Sequence, residues 1–290
     1  MKNYFVLLIL AAGLLNAQNK RFTYEYTYLI DSTNKADIQK ELVVLDVNAA
    51  GSKFYSYEKF KSDSLLIVEI EKPQYTGSEF IKYSPSYKGK ITYTISKIYP
   101  TYETFLHIGL GTDEYKVLDE RKTVWKINAE KQKIGEFHAQ KAETEMFGRK
   151  WTAWFATEIP IQDGPYKFHG LPGLIIKIED FTKTHSFELM GISKNLDSAG
   201  STDQKKLFNS QEIAVNYTQY KKMYLELQND PTKSLREMMN QSGSNLRMVS
   251  SDGSEVKPAD LIRKRELEAQ EARKKNNNPL ELDLQIPDAK

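Results

Sequence analysis

The 290-residue sequence contains no cysteine. This absence excludes disulfides, thiolate metal ligands, a cysteine nucleophile and lipid attachment through an N-terminal cysteine. A second long apolar run after the first residues is also missing, and a helix that crosses a bilayer needs about 20 apolar residues. Stability must therefore come from an ordinary hydrophobic core, and a hydrophobic content of 40% is enough to build one.

The sequence has no excess of either charge. Its 41 basic and 39 acidic residues leave a net charge of +2, so we expect no nucleic-acid partner, because such proteins present clustered Lys and Arg to the phosphates. The motifs of phosphate-binding loops, dinucleotide-binding turns, zinc proteases and serine hydrolases are missing as well. We therefore expect no cofactor and no bound metal, and a non-enzymatic function is favoured over an enzymatic one.

Residues 1–17 have the pattern of a secretory signal peptide. An uncharged apolar stretch from Tyr4 to Leu15 is too short to span a bilayer, and a small-residue cleavage pattern ends at Ala17. We expect cleavage there and a mature protein that begins at Gln18 and has no transmembrane segment. Its expected location is the periplasm, the periphery of the outer membrane or the medium.

Residues 18–195 are predicted to form an antiparallel β domain. Short segments rich in Tyr, Phe, Thr, Val and Ile alternate between apolar and polar residues, and clusters of Pro, Gly, Ser and Asp separate them. Such strands bury one face each in a sandwich or a barrel. The predicted fold class is mainly β with C-terminal α-helices, as a curved antiparallel sheet or half-open barrel capped by helices. The predicted strands include Phe22–Tyr28, Leu65–Ile70, Ile91–Ile98, Glu103–Ile108 and Val117–Ile127.

Residues 196–257 are predicted to be a helical capping segment and a loop. Apolar side chains from Ile213 to Leu227 recur at helical spacing, Ser210 is a suitable N-cap, and the proline after Asp230 ends the helix. We expect this helix to pack on the sheet. A second short helix is predicted around Leu235, Met238 and Met239.

Residues 258–290 are predicted to be a charged helix followed by a strand-like tail. The helix, from Ala259 to Lys275, alternates in charge sign and contains few apolar residues, which indicates that it is solvated. Apolar and polar residues then alternate strictly from Leu280 to Ile286, as in a strand. We expect this strand to join the protein's own sheet, because a short linker gives a high effective concentration. Docking on another protein is the alternative.

The most distinctive segment runs from Ile134 to Phe187. Its sequence places Gln-Lys-Ala, Gly-Arg, two tryptophans, Ile-Pro and Gly-Pro pairs and a Gly-Leu-Pro-Gly-Leu-Ile core in the order of the GLPGLI family, which this chain resembles. The resemblance implies an exported protein of Bacteroidetes-type bacteria and assigns no activity, cofactor or ligand. The residues singled out as the structural motif are Trp151, Trp154, Gly170, Leu171, Pro172, Gly173, Leu174 and Ile175.

Local backbone rules give this motif a structural role. Pro172 presets φ to about −65° and Gly173 can take φ > 0, so the two residues fit the centre of a type II turn between Leu171 and Leu174. The strand that follows begins with apolar side chains on both faces. With a second turn at the Gly-Pro pair and the aromatic strand before it, the segment is predicted to form a packed corner.

Five polar residues of this segment are candidates for a binding role. His138 and His169 would form a metal or acid–base cluster with a nearby carboxylate if the fold brings them together. A lone charge among aromatic residues is either a binding group or an internal tie, and we expect Arg149 to form a forked contact with Asp163 or Glu158 that pins the corner. The candidates are His138, Lys141, Arg149, Asp163 and His169.

The function expected from these patterns is non-enzymatic binding of an apolar ligand, a peptide or a protein partner in the cell envelope. A strongly bent sheet capped by helices leaves an apolar concavity that suits a lipid or a partner segment. Two alternatives stay open. One is an envelope hydrolase, which needs His138, His169 and a carboxylate within hydrogen-bonding reach in a cleft. The other is a structural subunit of an outer-membrane assembly.

Overall fold

The structure is a computed structural model that describes residues 19–62, 89–111, 113–194, 211–233, 235–237, 248–249 and 255–285. Four sequence-based predictions lie outside these residues: the signal peptide, the strand at Leu65–Ile70, the N-cap at Ser210 and the helical positions Met238 and Met239.

Within the described residues, one open sheet of twelve strands dominates the fold. The strands are β1 (Lys20–Leu29), β2 (Ile38–Asn48), β3 (Gly51–Ser56), β4 (Thr94–Ile98), β5 (Glu103–Leu110), β6 (Asp113–Asp119), β7 (Lys126–Ile134), β8 (Phe137–Met146), β9 (Arg149–Ala156), β10 (Leu174–Asp180), β11 (His185–Lys194) and β12 (Ile213–Asn216). They lie side by side in the order β12-β6-β5-β4-β3-β2-β1-β11-β10-β9-β8-β7. Neighbours are antiparallel except β12 and β6, which are parallel. The predicted fold class, mainly β with C-terminal helices, is confirmed, and the sheet is open.

Strand β1 shows how alternation builds the core. Successive side chains of a strand point to opposite faces of a sheet, and Phe22, Tyr24, Tyr26 and Tyr28 are all buried on one face. Tyr26 stacks on Phe187 of the neighbouring strand β11, with ring centroids 4.3 Å apart. The predicted placement of the four aromatic side chains on one face is confirmed.

One predicted strand is two strands in the structure. The segment predicted as Val117–Ile127 leaves the sheet after Asp119, the last residue of β6, and re-enters it at Lys126, the first residue of β7. Between them Arg121 turns back so that its Nε and Nη2 atoms donate to the carboxylate of Asp119 at 2.8 and 2.6 Å. This local ion pair stabilises a loop where the sequence pattern predicts a continuous strand.

The C-terminal part contains two long helices, α1 (Tyr217–Asn229) and α2 (Pro258–Lys275), and a two-stranded hairpin of β13 (Met248–Val249) and β14 (Glu255–Val256). Helix α1 begins later than predicted. The four residues from Ile213 to Asn216 pair with β6 instead, and Asn216 then forms a capping box with Gln219. Among the described residues, no helix is both long and apolar enough to cross a membrane.

The prediction of a strand at Leu280–Ile286 is wrong for residues 280–285, which the structure describes. Residues Leu282–Leu284 form a single 3₁₀ turn, and Glu281, which alternation would place in solvent, is buried. The prediction that this segment joins the protein's own sheet as a strand is therefore wrong as well. The segment packs on its own domain through other contacts, among them the Leu282 amide, which donates to the Phe147 carbonyl at 2.8 Å. Below, residues 276–285 are called the tail.

Candidate functional site: a cationic groove that holds the tail

The Gly-Leu-Pro-Gly-Leu-Ile segment is a tight turn, but not the predicted one. The Gly173 amide donates to the Leu171 carbonyl at 2.8 Å, and the Leu174 amide donates to Ile159 at 3.0 Å instead of closing a turn on Leu171. Gly173 does not have a positive φ. The type II turn is therefore wrong, and the backbone makes a three-residue turn centred on Pro172.

Gly173 is required for a different reason. A Cβ atom at this position would lie 2.3 Å from the carbonyl oxygen of Ala156 and 2.9 Å from the Cα of Thr157, so the neighbouring backbone approaches too closely for any side chain. Gly170 is the motif residue with a positive φ, of 95°. The motif thus packs its backbone directly against the end of β9.

The motif and its tryptophans belong to the core. Leu171, Leu174 and Ile175 are fully buried, and Trp151 and Trp154 are buried on β9. The Trp151 indole donates to the Met146 carbonyl at 3.0 Å. These contacts match the packed corner expected from the sequence.

Asp163 is an internal tie. It is completely buried and accepts hydrogen bonds from the Lys97 ammonium, from the Tyr99 hydroxyl at 2.5 Å and from the Gly164 amide at 2.7 Å. Lys97, on β4, also donates to the carbonyls of Gly164 and Phe168 at 2.8 and 3.2 Å. Burial lowers the pKa of Lys97, and the Asp163 carboxylate opposes that shift. The pair fastens the segment after β9 to the inner face of the sheet.

The structure does not bring the two histidines into one group. His138 is exposed and its Nδ1 lies 3.0 Å from Glu158, whereas His169 stacks on Tyr102 with ring centroids 5.1 Å apart. Burial, with a smaller effect from Lys97, lowers the pKa of His169 to about 4. The part of the chain that the structure describes contains no group of three or more His, Asp or Glu side chains arranged to hold a metal ion.

Lys141 lies at the surface of the strand pair β7–β8. Its ammonium is 3.1 Å from Glu130 and 3.5 Å from Glu143, both of which are largely exposed. Together with the His138–Glu158 pair, these residues are called the surface cluster. Nothing in this cluster is enclosed by the fold.

Arg149 forms the forked contact that the sequence predicts, but with different partners. Its Nη1 donates to Asp180 at 3.0 Å, and its Nη2 donates both to the Asn278 side chain and to the Pro279 carbonyl at 2.6 Å. Its Nε donates to the Leu280 carbonyl at 3.1 Å. The predicted partners Asp163 and Glu158 are wrong, because Arg149 points toward the tail, which follows it by more than a hundred residues in the chain.

A second buried cation, Lys167, binds the next tail residue. Its ammonium lies 2.6 Å from Glu281 and 2.7 Å from Asp119, and all three side chains are almost completely buried. The hydroxyl of Tyr166 also donates to Glu281. Burial raises the pKa of Glu281, but Lys167 and Arg121 lower it more, so the carboxyl titrates below its usual range.

Arg121 completes the set of cations. It donates to Glu281 and to Asp283, each at 2.9 Å, and its guanidinium lies 3.6 Å from the ring centroid of Tyr217. The Tyr217 hydroxyl donates to Asp283 at 2.8 Å. The tail groove is defined here by Arg121, Arg149 and Lys167, the carboxylates Asp119 and Asp180, and the aromatic residues Phe147, Tyr166 and Tyr217.

The segment between β9 and β10 packs on the buried face of the sheet and carries Tyr166 and Lys167 of this groove. Lys97 of β4 and Asp119 at the end of β6 both contact it. Tyr166, Phe168 and Leu171 are buried there. The face of the sheet at which an apolar cavity is expected from the sequence is packed with the chain's own side chains.

Four charged residues of these contacts were not predicted from the sequence as site residues: Lys97, Arg121, Lys167 and Glu281. A signal existed for Lys97, because period-two alternation places it on the same face of β4 as the buried Ile95. Lys167 stands alone between Tyr166 and Phe168, which is the pattern of an internal tie. No local pattern predicts the pairing of Lys97 with Asp163 or of Lys167 with Glu281 of the tail.

The profile of a family described as a protein of unknown function (Porph_ging) matches residues 145–177. The match includes Arg149, Lys167 and the Gly-Leu-Pro-Gly-Leu-Ile segment, and it ends before the tail. No curated protein matches the chain.

Two solved structures are similar to this chain. The structure of PNGF-II in space group C2 is 17% identical with a TM-score of 0.49, and covers 71% of this chain and 32% of its own. The structure of PNGF-II in space group P2₁ is 16% identical with a TM-score of 0.49, and covers 71% of this chain and 33% of its own. This chain therefore spans about a third of the length of the proteins it matches, and a likeness at this level carries no inference.

Proposed function

We propose that this chain is an exported, non-enzymatic binding protein whose tail groove holds an extended, acidic protein segment. In the structure the groove is filled by the chain's own residues 278–283. The resemblance to an exported family and the signal-peptide pattern support the location. The charges of the tail groove support an acidic segment as the ligand.

The charge balance of the groove is the observation that carries this proposal. Apart from the tail, the groove contributes three cations, Arg121, Arg149 and Lys167, and two carboxylates, Asp119 and Asp180. The tail adds the partly exposed carboxylate of Asp283 beside Arg121 and the buried carboxylate of Glu281 beside Lys167 and Arg121. Because a buried charge without a partner is strongly unfavourable, the groove selects a segment with a carboxylate at this point.

The contacts are of the kind that recognise an extended peptide. Arg149 donates to two consecutive main-chain carbonyls, which any sequence supplies. Asn278 is recognised by its side chain, which accepts from Arg149 at 2.6 Å and donates to the Leu29 carbonyl at 2.7 Å. Specificity should therefore rest on an asparagine and on a glutamate three residues later.

The packed buried face of the sheet favours a protein segment over an apolar small molecule as the ligand. A lipid would have to displace buried aromatic side chains of the segment between β9 and β10, whereas an acidic segment needs only to replace the tail. The hydrolase alternative gains no support from the described residues, since His138 and His169 have separate partners.

The test is binding of a synthetic peptide in trans. A variant that ends at Lys275 lacks the tail, and a fluorescent peptide with residues 276–286 should bind it with a dissociation constant on the order of micromolar. The matched control peptide carries Gln in place of Glu281. It should bind at least about tenfold more weakly, because it lacks the buried charge. Circular dichroism checks that the shortened chain is folded.

A second variant covers the case in which the shortened chain does not fold. A protease site inserted between Lys275 and Asn276 lets the intact protein fold before the tail is cut, after which the labelled peptide should exchange into the groove. The proposal is wrong if the folded protein with an empty groove does not bind the peptide, or if it binds the Gln peptide as tightly as the Glu peptide.

A further inference from the structure

Helix α2 and the tail are held very differently. Among the described residues, no side chain of α2 is buried, and the polar side-chain contacts of this helix with other segments are those of Glu266, which lies 3.0 Å from Arg236 and 3.2 Å from Thr232. The side chains of Arg236 and Glu266 are 41% and 45% exposed, and ion pairs that water reaches contribute little to the stability of a fold. Eighteen helical residues span about 27 Å. The tail is therefore a buried segment on the end of a long, weakly attached arm.

We propose that the tail of one copy of this chain occupies the tail groove of a second copy, so that two chains exchange tails. This inference rests on the function proposed above and names the partner. Every contact of the tail with the groove is the same whether the tail comes from its own chain or from another, so exchange changes the linkage and leaves the buried ion pairs intact. Reciprocal exchange closes a twofold dimer.

A second copy of the chain carries the sequence that the groove binds. The groove contacts the side chain of Asn278, the carbonyls of Pro279 and Leu280, and the carboxylate of Glu281. The sequence Asn-Pro-Leu-Glu occurs once in the chain, and a second copy presents it on an equally long arm. Each copy brings one groove and one tail, so every groove is filled in the dimer.

The absence of cysteine makes a direct test possible. Ser32 lies in the segment between β1 and β2, and its Oγ is 3.0 Å from Oδ1 of Asn277 at the start of the tail, outside the groove. In the double variant Ser32→Cys/Asn277→Cys, a disulfide between the two positions records which chain supplied the tail. Unlabelled and ¹⁵N-labelled variant proteins are mixed under reducing conditions, incubated at high concentration and then oxidised.

Mass spectrometry of the disulfide-linked peptides separates the outcomes. Exchange predicts peptide pairs with one labelled and one unlabelled member, in a proportion that rises with incubation time and concentration toward the statistical value, and a covalent dimer on a non-reducing gel. Excess free peptide 276–286 should suppress these mixed pairs. The added substitution Glu281→Gln should change their rate of formation.

Two results overturn the proposal. Pairs in which both members always carry the same label, with only the monomer on the non-reducing gel, show that each tail stays in its own groove. If the free peptide nevertheless binds the shortened chain, exchange is wrong and the proposed function stands. Mixed pairs that excess peptide does not suppress show that the dimer forms by another route, and peptide binding to the shortened chain still tests the function separately. Variants with Cys at only one of the two positions measure random cross-linking, which the mixed pairs must exceed.

Discussion

The tail groove and the surface cluster contain the same kinds of residue and differ in environment. Lys167 and Lys141 each lie close to two carboxylates, but the Lys167 side chain is 2% exposed and the Lys141 side chain 23%, with partners that are largely exposed. Water screens the charges of the surface cluster, whereas those of the groove depend on their partners. The residue types alone therefore do not locate the site. Burial separates the two clusters.

The largest expected effect comes from removing one charge of the groove. Lys167→Met keeps the length of the side chain but leaves Asp119 and Glu281 buried with a single cation, Arg121. We expect a loss of about 3 kcal/mol in the free energy of unfolding, measured by urea denaturation. Lys141→Met in the surface cluster is the matched control. Equal effects of the two substitutions would remove the distinction between the clusters.

The second prediction compares two glycines. Gly173→Ala places a Cβ atom 2.3 Å from the Ala156 carbonyl oxygen, so the backbone must shift, and we expect a loss of about 2 kcal/mol. Gly135, in the turn between β7 and β8, has φ of 57° but open space around it. Gly135→Ala should lower the free energy of unfolding by about 1 kcal/mol. Thermal unfolding measures both losses. A larger loss of stability at Gly135 than at Gly173 would show that a positive φ is more costly to a side chain than the close approach of the neighbouring backbone.

The third prediction concerns acid. Burial, with the charge of Arg149, lowers the pKa of His185 from 6.5 to about 3, and His185 lies 3.2 Å from the Asn278 carbonyl of the tail. Between these values the unfolded chain binds a proton that the folded chain does not. Stability should therefore fall as the pH drops from 6.5 to about 3, by up to about 1.4 kcal/mol per pH unit for each such histidine.

Urea unfolding at a series of pH values measures this slope. His169, with a pKa of about 4, adds to it over the upper part of the window. His185→Gln should flatten the slope, and His138→Gln in the surface cluster is the control. If the two variants have the same pH profile, buried neutral histidine is not the cause of the acid sensitivity.

The smallest effects are expected in the surface cluster itself. Lys141→Met and His138→Ala should leave the melting temperature within experimental error, because water replaces the lost partners. They should also leave binding of the tail peptide unchanged. A clear loss of peptide binding in either variant would move the functional site to the β7–β8 surface.

Much of the fold could be predicted from local patterns. The alternation in β1 places Phe22, Tyr24, Tyr26 and Tyr28 on one face, and the same rule applies to most strands, since a half-buried strand needs no information from distant residues. Errors arose where a tertiary contact outweighed the pattern. Residues Ile213–Asn216 pair with β6, and the tail turns so that its glutamate is buried while its leucines are only partly buried.

The site could be predicted only in part. Arg149 and Asp163 were recognised as charges among aromatic residues, and both are internal ties, but their partners were not found. Arg149 and Pro279 are 130 residues apart in the chain, and Lys167 and Glu281 are 114 apart. No spacing rule of helices or strands reaches so far, so only the folded structure shows that the cations of the groove hold the tail.

Native-state hydrogen exchange of the Leu282 amide tests the central claim most directly. This amide donates to the Phe147 carbonyl inside the groove. If the tail is held like a ligand, the amide should exchange through a local opening whose free energy is well below that of global unfolding and nearly independent of urea. Glu281→Gln should lower that free energy further. If the Leu282 amide instead exchanges with the same free energy and urea dependence as the amides of β1, the tail is an inseparable part of the core and the account is wrong.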